Sequence, residues 1–153
     1  MLQKNNEIKK QLQEVFRTQK LAVLCTHNQS GPYGSLVAFV HTEDLSEIIF
    51  ATLRNTRKYA NISEDNRVAL LIDNRSNKTA DFHQAMASTV IGQITEITKR
   101  KNSRYLKLYL EKHPNLREFI ETPTCVLLCI SVEKYITVNR FQQVEELHIT
   151  KQK

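Results

Sequence analysis

Apolar residues recur along the chain with two different periods, which predicts alternating helices and strands. Four apolar residues spaced at i, i+4, i+7 and i+8 within 5–19 form one face of an amphipathic helix. A cap at Asn55 or Thr56 starts a second helix. A third helix occupies 101–113 and ends at Pro114, which cannot continue it.

Between the helices lie short β-prone runs bounded by turn-forming residues, which predict seven strands. The run Gly34–His41 is almost entirely apolar, so we expect it to be buried on both faces. Gly92 interrupts the fifth run and predicts a β-bulge there. The pattern predicts one domain, 1–153, with a mainly β (β+α) fold: a six- to seven-stranded antiparallel β-barrel with two to three helices packed on its ends. The predicted strands are 20–26, 34–41, 47–53, 67–72, 85–97, 124–138 and 144–149.

Composition excludes several classes of protein. The chain has only three glycines, and neither Gly-rich nucleotide-loop motif can be written in it. Three cysteines do not suggest a disulfide framework. No apolar run is long enough for a signal peptide or a membrane span. We therefore expect a cytoplasmic protein with no membrane partner. Cys125 and Cys129 share one face of a strand and are interpreted as buried small hydrophobes. Without a C-x-x-C motif or grouped histidines, no metal site is expected.

The charge balance favours partners that carry phosphate, since 22 basic against 16 acidic residues give a net charge of +6. No basic stripe alternates with aromatic residues, so a nucleic-acid partner is not expected. The segment 54–58 combines a predicted helix start with hydroxyl groups, the forked guanidinium of Arg57 and the ammonium of Lys58. These groups are the ingredients of a phosphate-monoester site. The alternative interpretation is a solvated Arg-Lys pair on a surface helix.

Five sequence blocks in a fixed order carry a resemblance that no single block would establish. They are A-V-L-x-T at 22–26, G-P-x-G-S at 31–35, F-A-T-x-x-x-T-R-K at 50–58, N-I-x-x-x-x-R-V-A-L-L at 61–71 and V-I-G at 90–92. In this order the stretch 21–96 resembles the pyridoxamine 5'-phosphate oxidase-like superfamily of FMN-binding split barrels. Towards the C-terminus the resemblance rests on the strand pattern alone.

The resemblance implies a homodimer with FMN bound at the interface between the subunits. It assigns the flavin phosphate to a Thr-Arg-Lys triplet, the flavin ring to the second strand, and further contacts to the end of the third strand. It places a glutamine contact near Ala87, for which Gln84 is the candidate substitute, and the end of the sixth strand next to the partner subunit's flavin. The residues at these positions are Thr56, Arg57 and Lys58 for the phosphate, Ser35, Leu36 and Val37 for the ring, Ala51, Thr52 and Leu53, then Gln84, and finally Asn139 and Arg140.

Two departures from the family pattern bear on activity. A true pyridoxamine phosphate oxidase carries an arginine and a lysine where this chain has Leu36 and His41, and its C-terminal basic motif is not legible here. We therefore expect a flavin-dependent oxidoreductase acting on an unidentified small molecule, with a reduced nicotinamide as candidate electron donor. The alternative is a non-catalytic flavin or haem binding or sensor protein, for which His83 offers a ligand. No catalytic residue is identified from the sequence.

Overall fold

Five α-helices and seven β-strands occupy the residues that the computed structural model describes, 1–97, 103–139 and 142–150. The helices are α1 (Leu2–Thr18), α2 (Arg57–Glu64), α3 (Asp81–Gln84), α4 (Ser103–Lys112) and α5 (Arg117–Glu121), with a 3₁₀ turn at Pro114–Leu116. The strands are β1 (Leu21–Asn28), β2 (Gly31–His41), β3 (Glu47–Leu53), β4 (Arg67–Asp73), β5 (Ala87–Ile97), β6 (Cys125–Asn139) and β7 (Gln143–His148). The expectation of two to three helices is thus too low, because α3 and α5 are too short to show a helical period.

All strand pairs are antiparallel and lie in the order β3-β2-β1-β4-β5-β6-β7, and β3 also pairs with β6. This extra pairing closes the first six strands into a barrel, which confirms the predicted mainly β barrel. Strand β6 pairs with β3 over 125–131 and with β7 over 134–139. Strand β7 therefore lies on the same edge of β6 as β3, past the point where β3 and β6 close the barrel.

Helix α1 buries its predicted apolar face in the interior of the barrel, where Leu12 and Phe16 are fully buried. The Phe16 ring packs edge-to-face on Phe39 with centroids 6.0 Å apart. The prediction of an amphipathic helix over 5–19 is therefore confirmed, although the helix begins earlier, at Leu2.

Helices α4 and α5 do not pack on an end of the barrel, and that expectation is wrong for them. They cover the outer faces of β3 and β6, where a second apolar cluster separates them from the barrel wall. Cys125 and Cys129 belong to this cluster, which confirms their interpretation as buried small hydrophobes. The cluster is formed by Val40, Ile49, Ala51, Tyr105, Tyr109, Ile120, Cys125, Leu127 and Cys129.

Strand β2 departs from the prediction at both its start and its exposure. It begins at Gly31 rather than Gly34, and Leu36 is 64% exposed, so the strand is not buried on both faces. The reason is that the α4–α5 layer covers β3, β6 and the end of β2 at Val40 but leaves the outer side of β2 bare around Leu36. The bulge predicted at Gly92 is confirmed, since the β5–β6 register shifts between Ile91 and Gly92.

Candidate functional site

Strands β2 and β3 separate from each other on one side of the barrel. Their ladder comprises only three pairs, from His41 with Ile48 to Phe39 with Phe50. Beyond Phe39, β2 stays paired with β1, whereas β3 stays paired with β6 as far as Leu53. The barrel wall is therefore split next to the end of β3, and the turn into α2 begins at this split.

A buried phenol occupies the first position of the split. Continuing the register would pair Ala38 with Ala51. Instead, the hydroxyl of Tyr109 donates to the Ala38 carbonyl at 3.2 Å and accepts a hydrogen bond from the backbone of Ala51. Tyr109 is 1% exposed, and its burial raises the pKa of the phenol. Helix α4 thus satisfies the strand edges where they part.

The turn between β3 and α2 is organised by Thr56, which is the N-cap of α2. It is one of the two N-cap candidates predicted from the sequence. Its hydroxyl donates to the Leu53 carbonyl at 2.8 Å and accepts from the Tyr59 amide at 3.4 Å. Because the Thr56 hydroxyl proton is already donated to the Leu53 carbonyl, the Thr52 hydroxyl is the donor in its 3.2 Å hydrogen bond with Thr56 Oγ1. The first two helical N–H groups, those of Arg57 and Lys58, have no acceptor within the helix and are available to an anion.

Two cations stand at this helix start without an acidic partner. Among the described residues, no carboxylate forms an ion pair with Arg57 or Lys58. The Arg57 guanidinium carbon lies 5.1 Å from the centroid of the Tyr33 ring, so the side chain leans towards the β1–β2 hairpin. Partial burial lowers the pKa of the Lys58 ammonium. A partly desolvated ammonium without a counter-ion favours a bound anion.

A buried amide network fixes α2 against the hairpin end of β1. Asn61 is 1% exposed, and its Nδ2 donates to the Thr26 hydroxyl at 3.0 Å. Its Oδ1 accepts from Asn28 Nδ2 at 2.8 Å. The network aligns the start of α2 with the start of β2, so that Arg57 can reach Tyr33.

The residues predicted to line the flavin ring, Ser35, Leu36 and Val37, differ in which of their groups face the surface. Val37 is a core residue, so only its backbone is available at the surface. Leu36 faces outward and is exposed. Ser35 carries a buried Oγ that has no hydrogen-bond partner among the residues that the structure describes. An unsatisfied buried hydroxyl is uncommon and calls for a missing partner.

The remaining predicted contacts lie far from this turn within one chain. Asn139 ends β6 fourteen residues after Cys125, which pairs with Leu53 beside the turn. That is about 45 Å of extended strand. Gln84 lies in α3, next to the start of β5, whose first residue pairs near the same far end of β6. One chain therefore does not bring these residues together with the Thr-Arg-Lys triplet. Arg140 lies outside the described residues.

His83, the candidate haem ligand, lies on the exposed helix α3 rather than in a loop. In the described part of the chain, no group of three or more His, Cys, Asp or Glu side chains could hold a metal ion. None of the described helices combines the length and apolar character needed to cross a bilayer.

Sequence reasoning missed a second polar cluster beside the turn. Arg54 forms a bidentate ion pair with Glu96 on β5, and Tyr59 donates its hydroxyl proton to the same carboxylate at 3.0 Å. Tyr33, beneath Arg57, was also missed. Glu96 is 42 residues from Arg54, so no local pattern joins them.

The turn at the split therefore offers the groups that a bound phosphate monoester needs. Two unpaired cations and two N–H groups match a phosphate dianion. The orphaned Ser35 hydroxyl offers a hydrogen bond on the adjacent strand. The residues at 35–37 and 51–58, which the resemblance assigns to the flavin, lie on β2, at the end of β3 and in this turn.

Comparisons with known proteins agree with this fold. The family model for pyridoxamine 5'-phosphate oxidase matches residues 8–139. A haem-binding protein from Mycobacterium smegmatis has a similar structure, with a TM-score of 0.80 and 12% identity over 92% of this chain and 57% of that one. This chain thus spans little more than half of that protein. No curated protein matches the sequence.

Two further solved structures match over most of their own length. One is a protein from Clostridium acetobutylicum related to general stress protein 26 of B. subtilis, of the pyridoxinephosphate oxidase family, with a TM-score of 0.73 and 16% identity over 94% of this chain and 95% of that one. The other is an FAD-binding protein from Mesorhizobium loti, with a TM-score of 0.67 and 12% identity over 84% of this chain and 90% of that one. At these identities the likeness shows the fold alone.

Proposed function

Because the chain belongs to the pyridoxamine 5'-phosphate oxidase family, we propose that it is a cytoplasmic, homodimeric FMN-binding protein and acts as a flavin-dependent oxidoreductase. The observation that carries the proposal is the pair of unpaired cations, Arg57 and Lys58, at a capped helix start beside a split in the barrel. A bound flavin would supply the redox chemistry. The chain's own residues hold and orient it.

Each part of the split has a distinct role in this proposal. Arg57 grips two phosphate oxygens with its forked guanidinium, and Lys58 adds a point charge. The Thr52–Thr56 hydrogen bond keeps the turn in the conformation that directs the free amides outward. The Ser35 hydroxyl and the backbone of Val37 bind the polar edge of the ring along β2.

An uncovered apolar row on the outer wall supports the homodimer. Strand register places Leu36, Val23 and Leu71 side by side on β2, β1 and β4. The row continues through Thr89 and Ile136. Its four inter-strand steps span about 19 Å. A partly exposed strip of this width, apolar except at Thr89, is typical of an interaction surface. Since Leu36 belongs both to this row and to the flavin strand, a flavin on β2 would lie at the subunit interface.

The same strand argues against oxidation of a pyridoxamine phosphate. Leu36 and His41 stand where such an enzyme carries cations, and burial lowers the pKa of His41, which keeps its ring neutral at pH 7. The imidazole Nδ1 is engaged with the Thr42 carbonyl at 2.9 Å. We therefore propose that a reduced nicotinamide donates electrons to the flavin. The reduced flavin then passes them to an uncharged or weakly charged small-molecule substrate.

The first test compares FMN with riboflavin, which lacks only the phosphate. We expect purified protein to bind FMN, seen as visible flavin absorption after removal of excess ligand, and to bind riboflavin at least about a hundredfold less tightly. The double variant Arg57→Ala/Lys58→Ala should lose most of that difference. The double variant Lys10→Ala/Arg117→Ala changes the net charge equally, from +6 to +4, at exposed positions far along the chain. It should leave binding unchanged.

Three results would contradict the proposal: no retained flavin, equal affinity for FMN and riboflavin, or equal effects of the two double variants. Anaerobic mixing with a reduced nicotinamide then tests turnover, since loss of the flavin absorption is expected. Flavin that binds but is not reduced would favour the non-catalytic carrier or sensor. A Soret band on haem titration that disappears in His83→Ala would favour the haem-binding alternative.

A further inference from the structure

Arg54, Tyr59 and Glu96 form a closed polar triangle beside the candidate phosphate turn. Arg54 Nη1 donates to the Tyr59 hydroxyl at 2.6 Å and to Glu96 Oε2 at 3.3 Å, while Nη2 donates to Glu96 Oε1. The Tyr59 hydroxyl donates to Glu96 Oε2 at 3.0 Å. The Arg54 amide also donates to the Thr124 carbonyl at 2.9 Å. Each group in the triangle is therefore engaged by the other two.

The triangle spans the turn. Arg54 follows β3 directly, and Tyr59 is the third residue of α2. Glu96 lies on a different element, β5, near its end. One carboxylate thus fixes both sides of the segment 54–59 that contains Arg57 and Lys58.

We propose that Glu96 is a positioning residue, which with Arg54 and Tyr59 clamps the phosphate-binding turn to strand β5. The inference rests on the proposed function, because it assigns the clamp a role in holding the flavin phosphate. Arg54, although it is the third cation of the segment, is directed to Glu96 and does not bind the phosphate. Removing the clamp forces the ligand to order the turn on binding, which weakens affinity.

The charges of the clamp give a way to separate positioning from simple electrostatics. Glu96→Gln removes a negative charge near the site, so electrostatics alone would strengthen FMN binding. Arg54→Gln removes a positive charge, so electrostatics alone would weaken it. A single exposed charge at physiological salt changes affinity by no more than about twofold. Loss of a pre-ordered turn weakens it by roughly three- to tenfold. Positioning therefore predicts weaker FMN binding in both variants.

The experiment titrates FMN and riboflavin into wild-type protein, Glu96→Gln, Arg54→Gln and the charge-neutral Tyr59→Phe. We expect all three variants to bind FMN more weakly and to bind riboflavin as the wild type does. Glu133→Gln is the matched control, since Glu133 is an exposed strand glutamate without an ion pair among the described residues. It should bind both ligands normally. Tighter FMN binding by Glu96→Gln, or an equal loss for riboflavin, would overturn the proposal.

A second measurement does not depend on flavin. In ligand-free protein, hydrogen exchange of the Tyr59 and Ala60 amides, which donate to the Thr56 hydroxyl and the Thr56 carbonyl, should be several-fold faster in Glu96→Gln than in Glu133→Gln. Unchanged exchange would overturn the clamp by itself. If the wild type does not distinguish FMN from riboflavin, the proposed function fails. If it does, and Glu96→Gln binds FMN normally, only the clamp fails.

Discussion

Replacing Ser35 with alanine should change the stability of the free protein and its affinity for FMN in opposite directions. The Ser35 Oγ is buried and has no hydrogen-bond partner. An unsatisfied buried hydroxyl costs about 1–3 kcal/mol. Because Ser35 as a whole is only partly buried, other rotamers relieve part of that cost. We therefore expect Ser35→Ala to raise the free energy of unfolding by about 1 kcal/mol, which corresponds to roughly 2–4 °C in Tm.

FMN binding should respond the other way. In the proposed site, rotation about χ1 turns the Ser35 hydroxyl towards the ligand, and the resulting hydrogen bond replaces the missing partner. Its loss in Ser35→Ala should weaken FMN affinity by about three- to tenfold, the value of one neutral hydrogen bond. A residue that serves only the fold would not combine a gain in stability with a loss of affinity.

Ser88 provides the matched control, since it is a buried serine of the same barrel with a satisfied hydroxyl. Its Oγ lies 3.0 Å from Thr137 Oγ1, and both side chains are buried. Ser88→Ala leaves the threonine hydroxyl unpaired, so it should lower the free energy of unfolding by about 1 kcal/mol. It should not alter FMN affinity. Thermal unfolding and fluorescence titration measure both quantities. A destabilised Ser35→Ala, or one with unchanged FMN affinity, would refute this reasoning.

Three further predictions concern the outer wall, the bulge and the core. Leu36→Asp puts a charge into the uncovered apolar row and should convert the proposed dimer into a monomer in sedimentation velocity; a wild-type monomer, or an unchanged mass in the variant, would show that this face is not a dimer interface. Gly92→Ala places a Cβ against the Ser131 carbonyl oxygen, so the free energy of unfolding should fall by about 1–3 kcal/mol in urea denaturation, and an unchanged midpoint would refute the close approach. Burial raises the pKa of Tyr135, whose hydroxyl donates to the Leu45 carbonyl at 2.6 Å. Above pH 10 the folded phenol therefore keeps a proton that the unfolded chain loses. As a result, the free energy of unfolding falls by up to about 1.4 kcal/mol per pH unit. Tyr135→Phe should flatten this alkaline slope in denaturation between pH 9 and 11, and an equal slope would contradict the assignment.

Features fixed by neighbouring residues could be predicted from the sequence. Strand β3 has the predicted bounds, Glu47–Leu53, because its apolar run is bordered by polar turns. The cap at Thr56 and the bulge at Gly92 also follow from single residues with strong local preferences. The Thr-Arg-Lys triplet is contiguous, so its presence at one helix start was visible without a structure.

Features fixed by distant packing could not be predicted. The exposure of Leu36 depends on which outer faces α4 and α5 cover, and no strand pattern contains that information. The Tyr109 hydroxyl meets the Ala38 carbonyl across 71 residues of sequence. The clamp on Glu96 is likewise formed by residues far apart in sequence, from the turn after β3, from α2 and from β5. In this protein the chemistry-bearing triplet is local, whereas the groups that position it are not.

The unfavourable features of this barrel are concentrated at one place, and that argues for a ligand there. Beside the split between β2 and β3, the Lys58 ammonium is partly desolvated and forms no ion pair with a described residue, and the Ser35 hydroxyl is buried with no hydrogen-bond partner among these residues. Each of these costs stability on its own, and folds retain such costs chiefly at functional sites. A ligand with an anionic end and a planar, hydrogen-bonding body would relieve both together. Neither a solvated Arg-Lys pair nor a purely structural turn would account for the orphaned hydroxyl beside it.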